Sequence, residues 1–283
     1  MDLVALEQYS FTITFIGYMV ASIIYVIYLG YKNENMARVA TLGTIIGFIA
    51  NTAFLILRWK ISGHPPFVNG YEFLLSFTWG IAAIYLFAEW RYGLRIIGAF
   101  VMPVAWFILA WIALKMPAEA KNAANLMPAL QSNWLTIHVA TAMVSYGAFA
   151  LSFGTSVMYL IKQRMEKNTF KSEFNKRMPS PDVLDDISYK FIAVGFPLLS
   201  FVIISGAIWA EYAWGRYWSW DPKETWSLIT WLVYAAYLHA RFTYGWRGNK
   251  AAWMSIVGFV FVLFTFFGVN YFLSGLHAYG GIG

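Results

Sequence analysis

One stretch of the chain stands apart by residue type: Trp214-Gly215-Arg216-Tyr217-Trp218-Ser219-Trp220-Asp221-Pro222-Lys223-Glu224-Thr225-Trp226. Four Trp and one Tyr crowd into it, more than a simple interfacial belt at a helix end needs. Such density suggests an aromatic shelf able to stack on a flat apolar ring. Arg216 and Lys223 would then hold carboxylates at the ring's edge. The same string reads as a helix start, with Asp221 as N-cap, Pro222 in the first turn and Glu224 closing a capping box. The two readings are compatible, because a capped helix holds the shelf beside it rigid.

The histidines extend this chemistry. The chain has 4 His and no Cys, so it offers no thiolate ligand or thiol nucleophile, and any sulfur chemistry draws on a partner. His138 opens the fifth apolar stretch just after Trp134, and His277 follows the last one. Two neutral imidazoles are the common axial pair of a low-spin heme. A single helix-end His is more often an interfacial hydrogen bonder, but two on the face of the aromatic shelf favour ligation. His239 lies about 25 Å below Pro222 along a helix, in the inner half of a bilayer. It reads either as a functional intramembrane group or as a hydrogen bonder to a neighbouring helix. No second His shares its depth, so a bis-His site there needs a partner subunit or a different ligand. His64, in Ser62-Gly63-His64-Pro65-Pro66, reads as a loop residue.

The elements that position these groups follow from composition. Of 283 residues 60% are hydrophobic and only 12% charged, against roughly 25% charge in an ordinary soluble domain. Mean hydropathy is +0.57. Soluble globular and disordered classes are excluded, leaving an all-α integral membrane protein. About eight transmembrane helices are expected, near 10–30, 39–58, 71–89, 95–114, 135–161, 191–210, 223–244 and 252–273. Their length and the absence of closely spaced turns favour helices over a β-barrel. Met1–Ser10 has two acids and no base, so the first stretch reads as a retained helix and not a secretory signal. Alternate loops divide the 20 Lys and Arg 14 against 6. The richer set faces the cytoplasm, which puts both termini and the Trp-rich loop outside.

The chain reads as a single transmembrane domain, 1–283, with an external Trp-rich loop at 211–226 and a charged cytoplasmic loop at 162–190. The latter reads as a solvated connector, with a helix start at Ser180-Pro181-Asp182. Asn51 and Asn270 read as interhelical hydrogen bonders, and Glu72 as a cap in preference to the mate of a basic group. Thr141, Ala142, Ser145, Ala148 and Ser152 mark a small-residue strip on the fifth span, suited to close helix approach.

The Trp214–Trp226 string resembles the WWD signature of the heme-handling membrane proteins of cytochrome c maturation. The resemblance is closest to the CcsA (ResC) family, the membrane component of system II cytochrome c synthases. Gly63-His64-Pro65, Asn69-Gly70-Tyr71-Glu72, Trp134 with His138, Gly195-Phe196-Pro197-Leu198, Leu238-His239 and Gly275-Leu276-His277 resemble that family in the same order. The likeness covers most of the chain from the second span onward. It implies heme contact by Trp214, Gly215, Arg216, Trp218, Trp220, Asp221, Lys223, Glu224 and Trp226. It implies axial ligation of heme iron by His138 and His277, and a transmembrane role for His239 as heme crosses. It further implies heme b as substrate and bound ligand, an apocytochrome c, surrounding lipid, and a CcsB (ResB)-like subunit supplying the other transmembrane ligand; no nucleic acid is expected. The lack of a large soluble domain matches the separate subunit and not a fusion.

The implied activity is that of a holocytochrome c synthase, with thioether bonds formed between the thiols of Cys-x-x-Cys-His and the heme vinyl groups. No general acid or base is assigned. The alternatives are a heme exporter or carrier without synthase activity, and a heme-bearing electron-transfer subunit. The expected home is the bacterial cytoplasmic membrane, with a thylakoid membrane as the organellar alternative.

Overall fold

The computed structural model describes residues 2–31, 33–122, 131–167 and 173–269, and every regular element among them is helical. In chain order these are α1 (Leu3–Gly30), α2 (Glu34–Ser62), α3 (Gly70–Tyr92), a 3-10 turn (Arg95–Ile97), α4 (Gly98–Lys115), α5 (Ala118–Lys121), α6 (Asn133–Lys167), α7 (Glu173–Arg177), α8 (Pro181–Trp214), α9 (Pro222–Tyr244) and α10 (Asn249–Leu263), the last continuing into a π-helical turn, Phe264–Gly268. The chain is an all-α membrane protein. Among the described residues seven helical runs are long and apolar enough to cross a bilayer: α1, α2, α3, Arg95–Lys115, α6, α8 and Asn249–Gly268. The remaining expected span corresponds to α9. Its 23 residues reach about 34 Å, but Lys223, Glu224 and Arg241 lower its hydropathy.

Helix boundaries refine the expected loops. α8 runs on to Trp214, so the Trp-rich connection shrinks to residues 215–221. Gly215 ends α8 in the left-handed region (φ 72°), its N–H donating to Glu211 O. The stretch 162–190 is largely helical, containing the end of α6, all of α7 and the start of α8. Pro181 and Asp182 do begin α8, but the Ser180 side chain makes no capping hydrogen bond there. The bundle thus has a Trp-rich end, at 215–221, and a basic end, where α6, α7 and α8 succeed one another.

Packing relies on small residues, because lipid supplies no hydrophobic force between helices. A Cβ on Gly147 of α6 would lie 2.6 Å from Gly80 O of α3, so these backbones touch. Ile13, Ile16, Val20, Ile23 and Ile27 form an exposed stripe along α1, as a lipid-facing surface requires. Mid-bundle, the rings of Phe149 and Tyr234 stack at 3.8 Å and 6°. Gly195 and Gly258 close the stack from either side: a Cβ would lie 2.8 Å from Phe149 Cε1 and 2.7 Å from Tyr234 Cζ respectively.

Most charged groups inside the bundle are paired, since hydrocarbon offers them no partner, whereas the buried hydroxyls of Tyr18, Tyr234 and Tyr237 make no hydrogen bond among the described residues. At the Trp-rich end the buried Arg58 binds Glu7 (3.0 Å), Glu72 (2.9 Å) and Lys121 O (2.6 Å). Glu72 is thus the mate of a basic group and not the cap expected of it. Asn69 caps α3 by accepting the Glu72 N–H (2.9 Å), while the Glu72 carboxylate receives the Val68 N–H (2.9 Å) and meets Arg58. At the basic end Glu89 accepts from Thr41 (2.7 Å), Tyr85 (2.8 Å), Tyr25 (3.1 Å) and Arg95 (3.1 Å). A hydroxyl chain joins α6, α8 and α10 through Ser152–Ser188 (2.8 Å), Ser152–Ser255 (2.7 Å) and Ser156–Ser188 (2.9 Å). Asn51 donates across to Thr78 Oγ1 (3.1 Å) and Leu75 O (3.3 Å), the interhelical role expected of it; Asn270 lies outside the described residues.

Candidate functional site

A cavity opens at the Trp-rich end, between the starts of α3, α6 and α9 and the ends of α4, α8 and the π-helical turn. It holds about 1390 Å³ of atom-free space, its open mouth included. Tyr146, Trp111, Phe266, Trp209, Tyr217 and Trp218 give it aromatic walls, and His138, Lys223 and Glu224 are its ionisable members. The π-helical turn matters here: by widening the helix it carries Thr265, Phe266 and Phe267 to the cavity wall. Phe266 stacks on Phe73 (4.6 Å) and meets Tyr146 edge-on (4.9 Å).

His138 sits in the wall with its ring fixed. Its Nδ1 lies 2.8 Å from Val202 O on α8. A carbonyl only accepts, so Nδ1 carries the proton and the Nε2 of the neutral ring carries the lone pair. Trp209 lies beside the ring at 6.3 Å. Ala142 of the small-residue strip forms cavity wall one turn below, while Ser145 donates to Gly195 O (2.8 Å).

The Trp-rich segment is built around the capping box of α9. Asp221 accepts the Lys223 N–H (3.0 Å), and Glu224 accepts the N–H of Asp221 (3.1 Å) and of Ser219 (2.8 Å). Both carboxylates are buried. Between the pinned residues, Trp220 takes φ 60°, the one positive φ at a non-glycine among the described residues.

The structure divides the expected shelf. Trp218 lines the cavity, with Trp220 edge-on to it (5.8 Å, 89°) and 68% exposed. Trp214 packs on Trp209 (5.1 Å), and Trp226 on Phe264 (4.2 Å) and Phe261 (5.7 Å) of the last helix. These four rings do not form one plane. The two cations separate likewise: Lys223 lines the cavity, whereas Arg216 is exposed and is not in its wall. His239 is exposed on α9, with Thr243 of its own helix 3.4 Å away and Tyr244 at 5.8 Å. The hydrogen bond to a neighbouring helix is therefore not what the described contacts show. His277 lies outside the described residues. His64 is buried in its loop, its Nδ1 3.0 Å from Pro65 O.

Trp209, Gly206 and the Val202 carbonyl were not singled out from sequence. Their spacing of four and three residues puts them on one face of α8, but a hydrophobic helix shows no period that separates that face from the lipid side.

Every described residue in the cavity wall falls between Phe67 and Phe267, and the model of the family "Cytochrome C assembly protein" matches residues 67–277. The chain belongs to the cytochrome c assembly protein family. Membership assigns it to cytochrome c biogenesis. Among its relatives, the "Cytochrome c biogenesis protein CcsA" of Guillardia theta is 41% identical over 289 residues, covering 96% of each chain. The protein of that name from Picosynechococcus is 38% identical over 335 residues, covering 99% of each. The solved structure of "Cytochrome c Heme Lyase CcmF" matches with a TM-score of 0.67 at 16% identity, over 94% of this chain and 47% of that one. At that identity the likeness is one of fold, and the cytochrome c assembly chain described here spans about half the length of the lyase.

Proposed function

We propose that the chain is the heme-handling subunit of a system II cytochrome c synthase. It moves heme b across the membrane and presents it at the Trp-rich, outer end for thioether attachment to the Cys-x-x-Cys-His of an apocytochrome c. The carrying observation is the cavity itself: its walls are largely aromatic, and a half-buried imidazole in them is held in the tautomer that ligates iron through Nε2.

In this reading His138 is one axial ligand and His277 the other. Trp218, Tyr217 and Trp209 face the macrocycle, and Lys223 meets a heme carboxylate in a charge-assisted hydrogen bond. Trp214, Gly215, Asp221, Glu224 and Trp226 act by holding the Trp218 segment in place. Trp220 and Arg216, on the exposed side of the loop, meet the arriving apocytochrome. His239, exposed on α9, shares heme with a CcsB (ResB)-like subunit seated against that face, which accounts for a lone intramembrane His. Relatives in Picosynechococcus and Guillardia theta bring a thylakoid membrane level with the bacterial cytoplasmic membrane as the location.

The reaction needs little from the chain beyond geometry. Each thiol adds across one vinyl group: sulfur bonds to the carbon nearer the ring and the thiol proton goes to the terminal carbon, with no net oxidation. Holding both partners in place is the main contribution, through proximity and orientation. The absence of Cys fits, since a thiol in the cavity would compete with the substrate.

The test is the absorption spectrum of the purified chain, co-expressed with its CcsB-like subunit, for wild type and His138→Ala, His277→Ala and His239→Ala, each with and without imidazole. The expected result is heme in the wild type, weakened or altered in each variant and restored by imidazole. Identical heme content in all four, or none in any, overturns the ligand assignments. Heme that is ligated as expected yet never transferred to an added apocytochrome identifies a carrier instead.

A further inference from the structure

Three features of α8 converge on the His138 imidazole, and none belongs to the Trp-rich signature. The Val202 carbonyl lies 2.8 Å from Nδ1. The Trp209 ring sits at 6.3 Å, inclined by 31°. Between them is Gly206, where an added Cβ would fall 2.8 Å from Cε1 and 2.9 Å from Nδ1 of the same ring. Contacts that short are not sustained, so any side chain at 206 must push the imidazole away from α8. The ring can reach the Val202 carbonyl only because residue 206 has no side chain.

We propose that Val202, Gly206 and Trp209 form a cradle on α8 that positions His138 and sets its tautomer before heme arrives. Gly206 is the decisive positioning residue. A carbonyl acceptor at Nδ1 makes Nε2 the lone-pair atom and raises its basicity toward iron, as outer-shell partners of metal-bound His do. The Val202 carbonyl also accepts from Ser205 Oγ (3.2 Å), so its direction is fixed independently of the imidazole. A preset ligand spares the chain the cost of orienting the ring when heme binds. This inference deepens the heme-ligand reading of His138 and rests on it, whereas the cradle geometry is measurable without heme.

The first experiment uses the heme-free full chain labelled with 15N-histidine, in detergent micelles. With only 4 His, the His138 resonances are identified by their loss in His138→Ala. The expected wild-type signature is a neutral ring protonated at Nδ1. In Gly206→Val that signature moves toward the Nε2-protonated tautomer that free histidine favours in water, and Gly206→Ala moves it partway. A wild-type His138 protonated at Nε2 overturns the cradle outright.

The second experiment titrates hemin into the same proteins and follows the absorption spectrum. Gly206→Val is expected to weaken six-coordinate heme binding about 10–100-fold, the usual cost of losing an outer-shell partner. Imidazole is expected to rescue it to the extent that it rescues His138→Ala, because a free ligand needs no cradle. Weakening that imidazole does not rescue marks a general packing defect and overturns the positioning role. If His138→Ala itself leaves the spectrum unchanged, the ligand reading fails. If His138→Ala alters it and both Gly206 variants do not, the cradle fails by itself. Should Gly206→Val not fold, Gly206→Ala carries both measurements.

Discussion

Replacing Glu224 by Gln or Ala tests how the Trp-rich loop is held. Its carboxylate accepts two backbone N–H groups, from Ser219 at 2.8 Å and Asp221 at 3.1 Å. Hydrogen bonds to a charged group contribute about 1.5–3 kcal/mol each and neutral ones about 0.5–1.5. The two together therefore contribute about 3–6 kcal/mol as carboxylate and about 1–3 as amide. Against them stands Trp220 at φ 60°, a left-handed conformation costing a residue with a Cβ about 1–2 kcal/mol. The carboxylate outweighs that strain; the amide roughly balances it. Glu224→Gln should thus sit near the point of release, and Glu224→Ala beyond it.

The assay is hydrogen exchange across residues 215–222 in micelles, read by mass spectrometry. With every 1.4 kcal/mol worth tenfold, Glu224→Gln should speed exchange of the Asp221 and Ser219 amides about 10–100-fold. Glu224→Ala should leave them nearly unprotected. Adding Trp220→Gly to Glu224→Gln should recover part of the protection, because glycine carries no left-handed penalty. Unchanged protection in Glu224→Ala, or no recovery in the double variant, refutes the reasoning.

Arg58→Met strands the buried Glu7 and Glu72 carboxylates and should cost about 3–5 kcal/mol, read as a lowered thermal midpoint in detergent; adding Glu7→Gln and Glu72→Gln should restore most of it. Ser152→Ala removes the hydroxyl shared by Ser188 and Ser255 and should cost about 1–3 kcal/mol, with an unchanged midpoint arguing that the chain of hydroxyls is structurally idle. Gly258→Val must displace Tyr234 from its stack on Phe149 and should cost about 1–3 kcal/mol; a smaller companion at the same site, Gly258→Ala, should fall between it and the wild type.

The capping box at Asp221 and Glu224 was legible in the sequence because its residues lie three apart and act locally. The same is true of Asn51, whose amide in a hydrophobic helix needed a neighbour. The spatial dispersal of the four Trp was not legible. Trp214 closes one helix, Trp226 faces another, and only the turn at Gly215 and the strained Trp220 decide where each ring points. Glu72 was read by its position at a helix start, while its mate, Arg58, lies in another helix. The exposure of His239 follows from its place on the face of α9 shared with Leu232, Ala236 and Thr243, a face whose mixed character gave no period to read. His138 was found by its type; the α8 residues beneath it are apolar or backbone groups and carry no chemical flag.

The stack of Phe149 on Tyr234 lies beneath the cavity, inward of its wall residues. Gly195, Tyr234 and Gly258 each lie seven positions inward from the wall residues Val202, Ser227 and Thr265 on their own helices, about 10 Å at helical rise. Three helices thus reach the same depth there, and α6 brings Phe149 to meet them just below Tyr146. An added side chain at Gly195 or Gly258 would thus disturb the cavity from beneath, with no wall residue changed.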